Sequence, residues 1–143
     1  MNIKILLIKC LALLVVIMTL GACGGGKRTA SIADLQGEWK VVEVKNQALP
    51  SDSEAFLGFD AKGMQIYGNC GCNDLTGSYI IDESHPSAFT FENVGVTQKM
   101  CQDMETEMAI LSALADVKGF ELEDVRLSLT DAEGNKLMTL EKK

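Results

Sequence analysis

The sequence predicts an α+β domain in which short strands lie before and after a single helix. Four segments rich in aromatic and β-branched residues lie between clusters of Gly, Asn and Asp, which is the pattern of strands joined by turns. A longer segment then repeats apolar residues at helical spacing, and the C-terminal residues alternate again. The four strands are predicted at 37–44, 63–68, 78–82 and 88–94.

The first predicted strand carries the only tryptophan of the chain, Trp39. Its apolar neighbours are Val44 and one of Val41 and Val42. Because a large aromatic side chain contributes most when it is buried, we predict that Trp39 belongs to the core rather than to a ligand-stacking surface.

The helix is predicted in the segment "CQDMETEMAILSALADVKGF". Apolar residues recur there at spacings of four, three and four, which places them on one face. Asp103 and Glu105 lie in the first turn and Lys118 near the last, as the helix dipole favours, and the helix is predicted to end near Gly119. The methionines are expected to fill the core rather than to hold a cofactor. The predicted buried face is Met104, Met108, Ile110, Leu111, Leu114 and Ala115.

A hairpin is predicted to close the chain. In "RLSLTDAEGNKLMTLEKK", two alternating segments flank Asp131–Asn135, which has the composition of a turn. The last two strands are therefore expected to pair with each other.

The N-terminus has the features of a bacterial lipoprotein signal. Lys4 and Lys9 precede an apolar run at 10–20, which is too short to span a bilayer, since crossing takes about 20 apolar residues. The following residues, Leu20-Gly21-Ala22-Cys23, resemble the lipobox, in which the signal is cut before a cysteine that receives fatty acyl chains such as palmitate. Cys23 is therefore predicted as the lipidation site.

This signal divides the chain into three parts. Residues 1–22 are the predicted signal peptide, 23–30 an acylated Cys with a flexible Gly-rich tether, and 31–143 one domain. Several acyl chains give stable membrane anchoring. Because Gly24 is not the Asp that retains many lipoproteins in the inner membrane, the expected location is the cell envelope, at the outer membrane.

The charge of the chain argues against nucleic acid as a partner. The formal net charge is −7, and all 20 acidic residues follow Ala33. The polyanionic backbone of nucleic acid is repelled by such a field, so no nucleic-acid partner is predicted. An acidic surface otherwise indicates solubility.

No pattern typical of catalysis, cofactor binding or metal binding accompanies the polar residues. The single histidine, His85, lies in "DESHPS", which reads as an exposed turn without a nucleophile motif. One His and three available Cys lack the paired spacing of zinc sites. We therefore predict a protein that is not an enzyme and has no catalytic residue, cofactor or metal.

The stretch "GNCGCNDLTGSY" requires a separate explanation. Its glycines, Gly68, Gly71 and Gly77, precede a strand and lack the Gly-Lys-Ser/Thr ending of a phosphate-binding loop, so they are expected at positive φ in a turn or bulge. Cys70 and Cys72 in an oxidising compartment suggest a redox pair, but a ring this short strains a disulfide. Cys101 offers a partner distant in sequence.

Several segments together resemble the META domain family, which includes HslJ-like bacterial lipoproteins. They are "LQGEWKVVEV", "GMQIYGNCGCNDLTGSY", "VGVTQKMC" with the following Glu-containing helix, and "RLSLTDAEGNKLMTL". The resemblance implies a curved antiparallel sheet, close to an incomplete β-barrel, with one helix packed across it. It implies no established enzyme activity and only loose associations with heat shock and other stress responses. The matching positions are Gly37, Trp39, Gly71-Cys72-Asn73, Gly77, Tyr79, Thr97, Met100-Cys101, Glu107 and Leu114.

The cysteine pattern departs from this family at Cys70, which leaves the disulfide pairing open. We favour Cys72 with Cys101, which would tie the sheet to the entrance of the helix, with Cys70 to Cys101 as the alternative. In the favoured pairing Cys70 is expected to be a free thiol that is able to exchange into the bond.

Three functional hypotheses follow. The first is a non-catalytic envelope lipoprotein whose domain binds a protein partner or acts in envelope stress. The second is a binder of a lipid or other apolar ligand in the gap of the barrel, suggested by the methionines of the helix. The third and least favoured is a thiol-disulfide enzyme that uses Cys70 and Cys72.

Overall fold

A computed structural model describes residues 29–102 and 104–143. The predicted signal peptide and the predicted lipidation site Cys23 lie outside the described residues. In the described part of the chain, no helix has the length and apolar character needed to cross a membrane.

Nine strands form one antiparallel sheet: β1 Gly37–Val44, β2 Gln47–Ala48, β3 Phe56–Asp60, β4 Gln65–Asn69, β5 Asp74–Ile81, β6 Phe89–Val96, β7 Gly119–Glu123, β8 Arg126–Thr130 and β9 Lys136–Lys142. Their order in the sheet is β6-β5-β4-β3-β1-β9-β8-β7, with the short β2 paired to β1. The sheet curls until its two edge strands meet at the bridge between Ala88 and Gly119. Two further backbone bonds hold this point, Phe89 N–H to the Lys118 carbonyl at 3.1 Å and Phe120 N–H to the Ser87 carbonyl at 3.0 Å.

The edge strands overlap at this one point, so the sheet is an incomplete barrel. The helix α1, Glu105–Asp116, packs against it and contacts β1 and β9. A 3-10 helix at Ile32–Leu35 precedes β1. The predicted α+β fold, a curved antiparallel sheet with one helix across it, is confirmed.

The core fills the interior of the curled sheet, and Trp39 is at its centre. Trp39 is 2% exposed, and its indole Nε1–H donates to the Leu35 carbonyl at 2.7 Å. A bulge between Val41 and Glu43 lets both Val41 and Val44 point inward. The prediction that Trp39 is a core residue is confirmed.

The predicted face of the helix was right at Ile110 and Leu114, which are buried, and wrong at Met108 and Ala115, which are exposed. The buried residues of α1 are Glu107, Ile110, Ala113 and Leu114, while Met108 is 62% exposed. Apolar residues are spread so widely around this helix that their spacing fits more than one face, and the face that meets the sheet contains an acidic residue. Of the two methionines on the predicted face, Met108 is exposed and Met104 is half-buried, so neither fills the core as expected.

The helix also ends earlier than predicted, at Asp116. Val117 has extended backbone angles, φ −63° and ψ 131°, and Gly119 is the first residue of β7 rather than the end of the helix. Lys118 donates its N–H to the Thr130 carbonyl at 2.8 Å and so belongs to the sheet. The short helix leaves enough chain to form the edge strand that meets β6.

The closing hairpin of β8 and β9 is confirmed. Its turn is held by the Asp131 N–H, which donates to the Asn135 carbonyl at 3.0 Å, and by Asp131 Oδ1, which accepts from the Asn135 N–H at 2.8 Å. The pKa of Asp131 is lowered, first by the side-chain hydrogen bond from Asn135.

Candidate functional site

The turn between β4 and β5 is joined to the segment before α1 by a disulfide. Cys72 and Cys101 are bonded, with their Cα atoms 6.3 Å apart, and Cys70 is free. This is the pairing favoured from the sequence. At the apex of the turn, Gly71 has φ +101°, which other residues rarely adopt, and its N–H donates to Asn69 Oδ1 at 2.8 Å. Gly68 and Gly77, predicted at positive φ, instead lie inside strands β4 and β5.

Asn73 organises the loop that follows β6. Its side chain is buried, and Oδ1 accepts hydrogen bonds from the Lys99 N–H at 2.7 Å and from the Thr97 hydroxyl at 2.9 Å. The Asn73 N–H donates to Glu107 Oε2 at 3.3 Å. One residue therefore connects the turn, the loop and the helix, and these bonds together with the disulfide fix the loop's position.

An exposed ion pair lies beside this network. Lys99 Nζ is 2.8 Å from Asp74 Oδ2, and Asn69 Nδ2 donates to Asp74 Oδ1 at 3.0 Å. The hydrogen bond from Lys99 is the largest cause that lowers the pKa of Asp74, followed by the one from Asn69. Because both partners are more than half exposed, the pair contributes little to stability, and its main effect is to hold the Lys99 ammonium.

These contacts border an open groove of 480 Å³, which we call the disulfide groove. Met100 is fully exposed, whereas Glu107 is 4% exposed. A groove with apolar walls and a few buried polar groups has the character of a binding site. Its principal lining residues are Val96, Met100 and Met104 as apolar walls, with Asn73, Cys101 and Glu107 as polar or sulfur-containing groups.

Cys70 is not the accessible thiol that the sequence suggested. Its side chain is 0% exposed and belongs to the hydrophobic core. The pKa of the Cys70 thiol is raised to about 12, mainly by burial and also by the negative charges of Glu107 and Asp74. A protonated, buried thiol is a poor nucleophile, so this arrangement does not favour the thiol-disulfide hypothesis.

His85 lies in an exposed turn, as predicted. Its Nδ1 is 2.9 Å from Ser84 Oγ and 3.3 Å from Asp82 Oδ2, so both neighbours contact the same ring nitrogen. The Ser84 hydroxyl donates to Asp82 Oδ1, and this bond is the largest cause that lowers the pKa of Asp82. A catalytic triad needs the serine and the acid on opposite ring nitrogens, so these contacts stabilise a turn.

The sequence pattern did not reveal the roles of Lys99 and Glu107 at the groove. In the sequence, Glu107 is only a matching position of the family, and Lys99 is not among the matching positions. A signal for Glu107 was present, because it is three residues before Ile110 and shares its helical face. Nothing in the sequence near Lys99 indicates that its N–H pairs with a side chain 26 residues away.

A family model, described as META domain, matches residues 32–143. The chain belongs to the META domain family. Membership confirms the resemblance found in the sequence and spans every strand and helix described above. The chain matches no curated protein.

Solved structures share the fold of this META domain at low identity. An NMR structure of a protein from Burkholderia xenovorans is 19% identical, with a TM-score of 0.60 over 86% of this chain and 98% of that one. A crystal structure of a DUF4847 family protein from Bacteroides vulgatus is 12% identical, with a TM-score of 0.56 over 76% and 94%. A further NMR structure is 19% identical, with a TM-score of 0.61 over 79% and 95%. At these identities the likeness concerns the fold alone.

Proposed function

We propose that this protein is a non-catalytic envelope lipoprotein, anchored through Cys23, whose META domain is a binding module that uses the disulfide groove. The observation that carries the binding role is the combination of apolar walls with a fully exposed Met100 on a loop fixed by a disulfide. An exposed methionine adapts its shape to a partner, and a fixed loop loses little entropy on binding. A protein partner in the envelope is the first candidate for the occupant.

A small apolar ligand is the second candidate, and the dimensions of the groove favour it. Its volume of 480 Å³ falls within the range of small-molecule sites, about 300–1,000 Å³. Met104 and Val96 are half-buried walls, so a ligand would cover apolar surface that is already partly shielded. This candidate retains the apolar-ligand hypothesis, with the ligand in the disulfide groove at the end of β6 rather than in the gap of the barrel.

Site-specific photo-crosslinking in intact cells tests the binding role. A photoreactive residue replaces Met100 at the groove or, as the control, Val125, which is 64% exposed in the turn between β7 and β8. Position 100 should give a discrete adduct that position 125 does not give. Identical adducts at both positions would contradict the proposal. So would the absence, at position 100, of any adduct with a protein or with a small molecule.

Labelling with a radioactive fatty acid tests the anchor independently. The full chain should incorporate the label and sediment with membranes, and Cys23→Ala should lose both properties. Cys10→Ala is the matched control, because that cysteine lies within the predicted signal and should leave labelling unchanged. Incorporation of label into Cys23→Ala would refute the anchor, and sedimentation with outer-membrane fractions tests the predicted location.

A further inference from the structure

We infer that the disulfide groove takes a small molecule that carries a protonated primary amine on an apolar chain, with the Glu107 carboxylate as its counter-ion. This inference rests on the second candidate above and deepens it, because it names the chemical class of the ligand. It follows from the burial of Glu107, from the partners it lacks, and from the walls beside it.

Glu107 is a buried acid with an incomplete set of hydrogen bonds. It is 4% exposed, and within the described part of the chain its side chain accepts one bond, from the Asn73 N–H to Oε2 at 3.3 Å. Oε1 has no hydrogen-bond donor among those residues. No enclosed side-chain oxygen of the described residues lacks a hydrogen-bond partner, so Oε1 is not fully enclosed and can be reached from the groove that Glu107 lines. Since a carboxylate has about four acceptor positions, the remaining capacity suits a donor from a ligand.

No described lysine or arginine pairs with this carboxylate. The cation nearest in the groove is Lys99, but its ammonium is 2.8 Å from Asp74 Oδ2 and is therefore engaged outside the groove. A ligand cation would supply the positive charge that the protein does not place there.

The apolar walls of the groove favour an apolar chain on the ligand, and the negative charge of the domain favours a cation. Val96, Met100 and Met104 offer apolar contact beside Glu107, which suits an alkyl chain that ends in an ammonium group. All 20 acidic residues of the chain lie after Ala33, so the field of the domain attracts cations. An anionic or neutral amphiphile would leave the Glu107 carboxylate unpaired.

An NMR titration of the full acylated chain, labelled at methionine methyl groups and held in phosphatidylcholine nanodiscs, tests the inference. n-Butylamine and 1-butanol serve as probes matched in length. Butylamine should shift the Met100 and Met104 signals saturably and leave Met64, in the turn between β3 and β4, unchanged. Its affinity should exceed that of butanol by about tenfold or more, because a charged hydrogen bond is added.

Glu107→Gln should abolish this preference, since the amide keeps the shape and loses the charge. Glu121→Gln, an exposed position on β7, is the matched control and should retain it. Equal affinities of butylamine and butanol for the wild type would overturn the inference even if Glu107→Gln failed to fold, as would a retained preference in a folded Glu107→Gln protein.

A third probe separates a free amine from a partner's side chain. Nα-acetyl-lysine N-methylamide carries the same butyl-ammonium group on a peptide unit, and it should bind no more tightly than butylamine. Tighter binding would overturn the small-molecule assignment in favour of a protein lysine. Absence of any amine binding, together with a specific protein adduct from position 100, would refute this inference and leave the proposed binding role intact.

Discussion

Removal of the Cys72–Cys101 disulfide should destabilise the domain by about 3.5 kcal/mol. The two cysteines are 29 residues apart, and the chain-entropy relation gives this figure for a loop of that length. Domains of ordinary size have about 5–15 kcal/mol in total, so the loss is a large fraction of the stability. The perturbation is the double variant Cys72→Ala/Cys101→Ala, which leaves no unpaired partner behind.

The assay is urea-induced unfolding, followed by Trp39 fluorescence with and without dithiothreitol. The reductant should bring the wild type down to the stability of the double variant and leave the double variant unchanged. Cys70→Ala is the control, because it removes a buried cysteine that has no disulfide and should cost about 1 kcal/mol. The reasoning fails if the double variant is as stable as the wild type, or if peptide mapping of the blocked protein links Cys70 to Cys101.

Three further predictions concern the core. Trp39→Ala should cost about 3–5 kcal/mol and lower or abolish the cooperative thermal transition, and an unchanged melting curve would refute its central role. Gly68→Ala should lower the free energy of unfolding by about 1–3 kcal/mol or more, because its Cβ would lie 2.1 Å from the Phe56 carbonyl oxygen. Gly95→Ala is the control and should cost far less, because a Cβ there meets open space. Equal losses of stability in urea unfolding would contradict this. The Cys70 thiol should resist iodoacetamide at pH 8 until the protein unfolds. The pKa of this thiol in the folded protein, about 12, exceeds the ordinary value of 9.0. The contribution of the protonated thiol to the free energy of unfolding should therefore be complete below pH 9 and be lost as the pH rises to about 12. A Cys70→Ala variant whose stability depends on pH in the same way would refute this.

Strand predictions succeeded where the local pattern was strong. β1 has the predicted bounds, because aromatic and β-branched residues fill it and a glycine begins it. β3 was missed because Gly58 interrupts a five-residue run. This glycine leaves room for the Tyr67 ring of the neighbouring strand, which would have to move if a Cβ were added at position 58. β7 was missed because Gly119 resembles a helix end in sequence, although it forms the bridge that nearly closes the barrel.

The candidate site was predictable in its cysteines and not in its polar network. Cys72 and Cys101 stand out because few cysteines remain in the domain. The bonds from Asn73 to Thr97 and Lys99 join residues 24 and 26 positions apart, and only the folded sheet brings them together. Likewise, the burial of Glu107 depends on which face of α1 meets the sheet, which the broad distribution of apolar residues did not determine.

Methionine oxidation in native membranes tests the central claim, that the disulfide groove is the binding surface, most directly. Met100 is fully exposed and Met64 is 45% exposed, so hydrogen peroxide should oxidise both in the purified protein. In intact envelopes an occupied groove should slow the oxidation of Met100 several-fold relative to Met64, as measured by mass spectrometry. Equal relative rates in the envelope and in the purified protein would show that the groove is empty where the protein works, and would contradict the account.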